Sequence, residues 1–241
     1  MENIEEIYKQ LTGVDIEEQR RIWDERGKGY YGEYCVFEKL FHGVHGNCKF
    51  LMNLNIPTNN GRTTEIDPLM IHESGIYVFE IKHYKGTIYG NVDDSTWTQY
   101  FRTAKNNVFN NPVLQNGYHV RALHEMFPHS PIYSVIIFTN SDCDLKISNN
   151  NPNIVITTLF KIGKTLTNLS QWKNTVYDIA GIDAIFRRLM PYSPMRNVMT
   201  VIDEKEVVPF YDYLDLLAEN HSATIRSLRK KEAAMMQQLS K

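Results

Sequence analysis

Glu65-Ile66-Asp67-Pro68-Leu69-Met70-Ile71-His72, Glu73-Ser74-Gly75 and Ile76-Tyr77-Val78-Phe79-Glu80-Ile81-Lys82 follow one another without a gap, and this stretch decides the fold. Two short runs rich in Ile, Val, Phe and Tyr flank a polar turn that ends in Gly, the pattern of a β-hairpin. The second run is apolar on both faces, so it is expected in the middle of a sheet covered on each side. Side chains alternate along a strand, which puts Glu80 and Lys82 on one face with Ile76 and Val78. A turn centred on Glu73-Ser74 pairs Ile71 with Ile76 and sets Asp67 opposite Glu80. A three-residue loop without a bulge would shift the pairing by one and turn Glu80 away, whereas a bulge at Gly75 would restore it. Opposed residues have Cβ atoms roughly 4.5–5.5 Å apart, and two buried carboxylates at that distance need a proton or a cation between them. A divalent metal meets that need. The competing reading makes Glu80 and Lys82 a structural ion pair and Asp67 the end of a strand.

Outward from the hairpin, the chain reads as alternating helices and strands. Residues 1–26 have helical spacing, with Ile4, Tyr8, Leu11, Ile16 and Ile22 among charges, and Gly27-Lys28-Gly29 is expected to interrupt them. A second helix is expected from Tyr30 to Phe41, a strand from Phe50 to Ile56, and a polar loop from Pro57 to Thr63. A second hairpin spans Gly86–Phe101 around Trp97. Asn111-Pro112 opens a helix as N-cap and first helical residue, and that helix stops near Pro128. Ile132–Phe138 and Ile154–Thr158 read as strands. Trp172–Leu189 has helical character, Met190–Pro194 breaks it, and Val207–Leu239 is expected to hold a long helix with a basic stretch at Arg226–Lys231, read as a solvated face. The fold class is α/β (α+β), with a mixed central sheet flanked by helices.

Composition sets bounds. The chain has 241 residues, 42% hydrophobic, 12% aromatic and 22% charged, as an ordinary globular protein has. No apolar run approaches the ~18 residues of a membrane span, and the acidic start lacks the pattern of a signal peptide. Cys35, Cys48 and Cys143 are odd in number, widely spaced and without a C-x-x-C pair, which suits small hydrophobes in a reducing compartment, so a cytoplasmic location is expected. A net charge of −2 argues against coating nucleic acid by electrostatics alone. A local basic rim could still exist, with His83, Lys85, Arg102 and Lys105 as candidates.

Two further polar residues fall on helices. Glu33 shares a helical stripe with Val36, Phe37 and Leu40, so its carboxylate would point at the sheet; a first-turn Glu complementing the helix dipole is the plainer alternative. Gln115 lies one position past the place where a capping box would use it, and read alone is a locally bonded amide.

Gly32-Glu33, Thr64-Glu65-Ile66-Asp67, Gly75 to Lys82, Gly86-Thr87-Ile88-Tyr89-Gly90, Trp97 and Asn111-Pro112-Val113-Leu114-Gln115 occur in that order. The series closely resembles the nuclease-related domain, NERD, a branch of the PD-(D/E)xK nuclease superfamily, over roughly residues 29–127. The resemblance implies a restriction-endonuclease-like core at residues 29–160, preceded by an N-terminal helix at 1–28 and followed by a mainly helical extension at 161–241. It implies that Glu33, Asp67 and Glu80 ligate Mg²⁺ or Mn²⁺, that Lys82 is the partner catalytic residue, and that Gln115 matches a glutamine carried on the following helix. Asp67 follows Ile66 where the superfamily's name has Pro, and the exonuclease-type relatives carry Tyr four residues after the Gln, where this chain has His119. The expected function is a metal-dependent nuclease, with DNA ahead of RNA as partner and no recognisable base-reading helix. A binding module without turnover, and a defence effector gated by residues 160–241, are the alternatives; the C-terminal helix offers a route to a homo-oligomer or protein partner.

Overall fold

The computed structural model describes residues 4–22, 25–59, 61–165, 168, 175–193, 199–202 and 206–209. In chain order the elements are α1 (Ile4–Thr12), α2 (Ile16–Ile22), α3 (Glu25–Gly43), β1 (Cys48–Leu51), β2 (Leu54–Pro57), β3 (Thr63–Ile66), β4 (Leu69–His72) and β5 (Gly75–Lys82). There follow β6 (Gly86–Asn91), β7 (Thr96–Tyr100), β8 (Asn107–Asn110), α4 (Pro112–Met126), β9 (Ile132–Phe138), β10 (Cys143–Ser148), β11 (Ile154–Thr158), α5 (Ile179–Leu189), β12 (Met199–Ile202) and β13 (Glu206–Pro209).

The central sheet is mixed, in the order β11-β9-β5-β4-β1-β12-β13, with β5, β9 and β11 parallel and the other neighbours antiparallel. β5 is therefore interior, and its first six residues are buried. The α+β class, with a mixed sheet between helices, stands. On one face, Tyr34, Val36, Phe37 and Leu40 of α3 pack with Tyr77 and Phe79, and α1 closes over them through Tyr8 and Leu11. On the other, Ala122 and Leu123 of α4 and Ile182, Ile185 and Phe186 of α5 pack on Ile76 and Val78. A small sheet, β10-β6-β7-β8, is joined to the C-terminal end of β5 through residues 83–85.

Several boundaries differ from the expectation. α3 runs straight through Gly27-Lys28-Gly29, and the N-terminal helix breaks earlier, at Gly13. Gly13 has φ +74°, open to glycine, and its N–H caps the Lys9 carbonyl at 2.7 Å; Asp15 then caps α2 through the Glu18 N–H at 3.1 Å. Interior glycines cost a helix about 1 kcal/mol each, and burial of the Val36, Phe37 and Leu40 face outweighs that. The expected strand 50–56 is two strands that change sheet at Asn53, φ 55°. The run 65–72 is likewise divided at Asp67-Pro68, whose peptide bond is cis, with β3 pairing β2 instead of β5. β8 and β10 were not expected; both are short and largely exposed, with weak patterns. Helix α5 begins at Ile179, later than Trp172, because Asp178 caps it through the Gly181 N–H. Val207 lies in β13, so the long helix does not begin there; the rest of that segment and Arg226–Lys231 lie outside the described residues. All three cysteines are free thiols. Among the described residues no helix is long and apolar enough to cross a membrane.

Candidate functional site

The hairpin has the two-residue turn at Glu73-Ser74. Leu69 pairs with Val78, Met70 with Tyr77, Ile71 with Ile76 and His72 with Gly75. The Phe79 N–H donates to the Pro68 carbonyl at 3.2 Å, so the same register runs on to Pro68 and sets Asp67 next in line, across from Glu80. Asp67 sits in the bend between β3 and β4, where the Asn53 N–H donates to its carboxylate. Its Oδ1 is buried with no hydrogen-bond partner among the described residues.

Glu80 is 8% exposed. Its Oε1 receives the Lys82 ammonium at 2.6 Å, and Lys82 also donates to Gln115 Oε1 at 3.0 Å. The ion pair weighed against a catalytic role is thus present, and it ends on a third group from another element. Asn111 explains why Gln115 arrives there. Its Oδ1 caps the Val113 N–H at 2.8 Å while its amide donates to the carbonyls of Val92 and Asp94, buttoning the β6–β7 turn to the start of α4. Asn116 then ties α4 to the sheet, donating to the Val78 carbonyl at 2.9 Å and to Ser134 Oγ at 2.8 Å. Gln115, its neighbour, is held at the rim of that contact.

Glu33 comes from the opposite face of the sheet. α3 approaches β9 closely because Gly32 has no side chain: a Cβ there would lie 2.8 Å from Thr139 Oγ1. Tyr8, fully buried, donates its hydroxyl to Glu33 Oε2 at 3.5 Å, and burial followed by the Glu33 charge pushes that phenol well above its usual value, keeping it a donor. Burial and then the Asp67 charge push the Glu33 carboxyl up to about 8; burial and then Glu65 push Asp67 up to about 6. Burial also raises Glu80, against the opposing pull of Lys82. Three carboxyls from three segments therefore sense one another and are poorly solvated. Among the described residues, no three His, Cys, Asp or Glu side chains close into a metal cage. The donor chemistry is that of hard oxygen, and the unpartnered Asp67 Oδ1 is an atom a cation would satisfy, so the residues fit Mg²⁺ or Mn²⁺ in kind.

His119 and Tyr8 are the residues that sequence reasoning missed as neighbours of this cluster. His119 Nδ1 lies 2.6 Å from Thr64 Oγ1 and Nε2 lies 3.8 Å from Glu80 Oε2. An imidazole that accepts from Thr64 at Nδ1 carries its proton on Nε2, the nitrogen facing Glu80. Burial and then Lys82 lower its pKa, favouring that neutral form. The signal was available: position 119 is one helical turn beyond Gln115, on the same face. Tyr118, by contrast, is 61% exposed. Of the rim candidates, Lys85, Arg102 and Lys105 are exposed, while the His83 ring is held between Thr139 Oγ1 at 2.9 Å and Asn140 at 3.2 Å.

Residues 28–139, which contain every one of these candidates, match the family model of the nuclease-related domain. Over that span the chain is similar to the nuclease-related domain family. An uncharacterized protein of Bacillus anthracis is 36% identical over 124 residues, 51% of this chain and 57% of that relative. The chain thus spans little more than half of the relative it matches, and residues beyond about 140 lie outside the NERD match.

Proposed function

We propose that this NERD-like domain is a metal-dependent phosphodiesterase acting on DNA, with Glu33, Asp67 and Glu80 as the carboxylates that would hold Mg²⁺ or Mn²⁺ and Lys82 as the catalytic cation. What supports the reading is a set of three desolvated carboxylates, two of which are raised further by the charges of their neighbours and one of which has a buried oxygen without a hydrogen-bond partner among the described residues, beside a lysine on the strand face of Glu80. Evolved cores keep such groups apart unless something binds between them. A bound divalent cation would supply Lewis acidity and reverse the sign of a site that otherwise repels phosphate.

The chain's own residues account for the rest. Lys82, on the interior strand β5, holds its ammonium between Glu80 and Gln115, where it can hydrogen-bond an attacking water and a non-bridging phosphate oxygen. Gln115 limits the swing of that ammonium. His119, braced by Thr64, positions the second oxygen of Glu80. Tyr8 and the Gly32 contact fix the depth of Glu33. Exposed Lys85, Arg102 and Lys105 would meet the phosphate backbone, which gives affinity without sequence preference.

The test is incubation of purified protein with linear, circular and single-stranded DNA in Mg²⁺ or Mn²⁺. Metal-dependent cleavage lost in Glu80→Ala is expected. Absence of cleavage by the wild type, or equal cleavage by Glu80→Ala, would sink the proposal. DNA binding that needs neither metal nor Glu80 would favour the binding-module reading.

A further inference from the structure

The small sheet has one face turned to the core and one to water. Ile88, Trp97 and Gln99 point inward and are buried, whereas Tyr89, Tyr100 and Val108 are 48%, 41% and 63% exposed. The register places these three on one outer surface: Tyr89 pairs with Thr98, Thr98 with Val108, and Thr87 with Tyr100. The two tyrosine rings lie 6.2 Å apart at 84°, one face-on to the other's edge, and no element covers them among the described residues.

Charge on this sheet is polarised. Lys85, Arg102 and Lys105 are exposed at the end where β6 begins and β7 finishes, and none of them pairs with a carboxylate among the described residues. Asp93 and Asp94 occupy the turn at the other end. The cationic end leads back to Lys82 through two intervening residues, so an anionic polymer drawn to it would be delivered towards the Glu80–Lys82 pair. Lys146, beside Tyr89 in the register, is held by Asp144 at 3.3 Å and adds little net charge.

We infer that the Tyr89–Tyr100 face, with Lys85, Arg102 and Lys105 at its end, is a docking platform for single-stranded DNA; the inference rests on the nuclease reading for its choice of polymer. Aromatic faces on an open sheet beside a cationic track suit bases that are already unstacked, since each ring offers a stacking surface to any base. A duplex hides its base faces and would meet only the cations. The platform therefore makes the enzyme selective for single strands, tails or frayed ends over closed duplex.

The experiment is fluorescence anisotropy in EDTA, where no cleavage can occur, with a labelled oligothymidylate of about 16 nucleotides, its duplex with oligodeoxyadenylate, and the matched oligouridylate. Wild type is expected to bind the single-stranded DNA most tightly. Tyr89→Ala/Tyr100→Ala should weaken that binding by roughly tenfold or more, leave duplex binding and the melting temperature unchanged, and be rescued by Tyr89→Phe/Tyr100→Phe, which keeps the rings. Lys85→Gln with Arg102→Gln and Lys105→Gln should flatten the salt dependence by about 0.7 per lost contact. The inference is overturned by unchanged single-strand affinity in the alanine pair, by absence of wild-type binding, or by tighter binding of RNA. It is also overturned by a wild-type dimer that the alanine pair dissolves, which would assign the face to a second copy. Binding lost in the alanine pair together with no cleavage in Mn²⁺ would sink the nuclease reading and leave the platform standing.

Discussion

Replacing Lys82 by alanine separates catalysis from scaffolding. The substitution deletes an ion pair of 2.6 Å with Glu80 and a hydrogen bond of 3.0 Å to Gln115. The Lys82 and Glu80 side chains retain 20% and 10% of their exposure, so the pair is shielded but not sealed. Breaking a sealed buried pair costs about 3–5 kcal/mol. Here Gln115 can turn to water, and Glu80, already raised by burial, can take a proton and shed the unpaired charge. The stability loss should therefore be about 1–3 kcal/mol, or roughly 2–12 °C in Tm for a domain of this size. A group that stabilises the phosphoryl transition state contributes a hundredfold or more in rate, about 2.7 kcal/mol at 1.36 kcal/mol per decade. Thermal melting and single-turnover DNA cleavage of the same preparation give both numbers. A variant that melts within that range and cleaves at least a hundredfold more slowly supports the catalytic role. A folded variant with undiminished cleavage would refute it, as would a larger collapse in Tm with activity that follows the folded fraction.

Three more outcomes follow from the geometry. Glu33 and Asp67 have folded pKa values of about 8 and about 6 against ordinary values of 4.5 and 3.8; their stabilising contribution is full below the ordinary values and lost as pH rises through the folded ones. Melting in EDTA should accordingly fall between pH 5 and pH 8, Mn²⁺ should restore it more at pH 8 than at pH 5, and an upward slope in EDTA would contradict the burial of these carboxyls. Gly32→Ala puts a Cβ 2.8 Å from Thr139 Oγ1 and should cost about 1–3 kcal/mol while lowering Mn²⁺ affinity, because Glu33 moves with the helix; calorimetry on the folded variant would show unchanged affinity if that linkage is wrong. Asp183→Ala leaves Lys49, 2% exposed, without the carboxylate it contacts and should cost about 3 kcal/mol in denaturant titration, with no loss of cleavage by the protein that remains folded.

The hairpin was readable because period-two apolar runs and a short polar turn admit few alternatives, and its register followed from the turn length. β9 and β11 were readable as short runs rich in β-branched residues. α3 was misread because Gly27 and Gly29 resemble a break when judged alone; the Gly13–Asp15 cap signals lay nearby and mark the real one. The division at Asp67-Pro68 could not be read from local pattern, because it depends on β3 finding β2 as its partner. Site candidates on β5 came from polarity against an apolar background. Tyr8 escaped notice because an aromatic on a helix stripe reads as core, which it is, apart from its one hydroxyl.

The turn at Glu73-Ser74 is far from every candidate catalytic group along the hairpin, yet it is not an ordinary surface loop. Glu73 Oε2 accepts from the Asn47 N–H at 3.3 Å, and its carbonyl accepts the N–H groups of Val176 and Tyr177 at 2.7 and 2.9 Å. Ser74 joins the His72 imidazole and the Tyr77 hydroxyl, each at 2.7 Å. Loops usually absorb insertions because nothing downstream counts their residues. This one is counted: a single added residue would slide β4 by one position and turn Asp67 to the opposite face from Glu80. In a deletion and insertion scan, residues 73–74 should therefore behave like the β5 interior, and a tag or a permuted terminus placed there would disarm the far end of the hairpin.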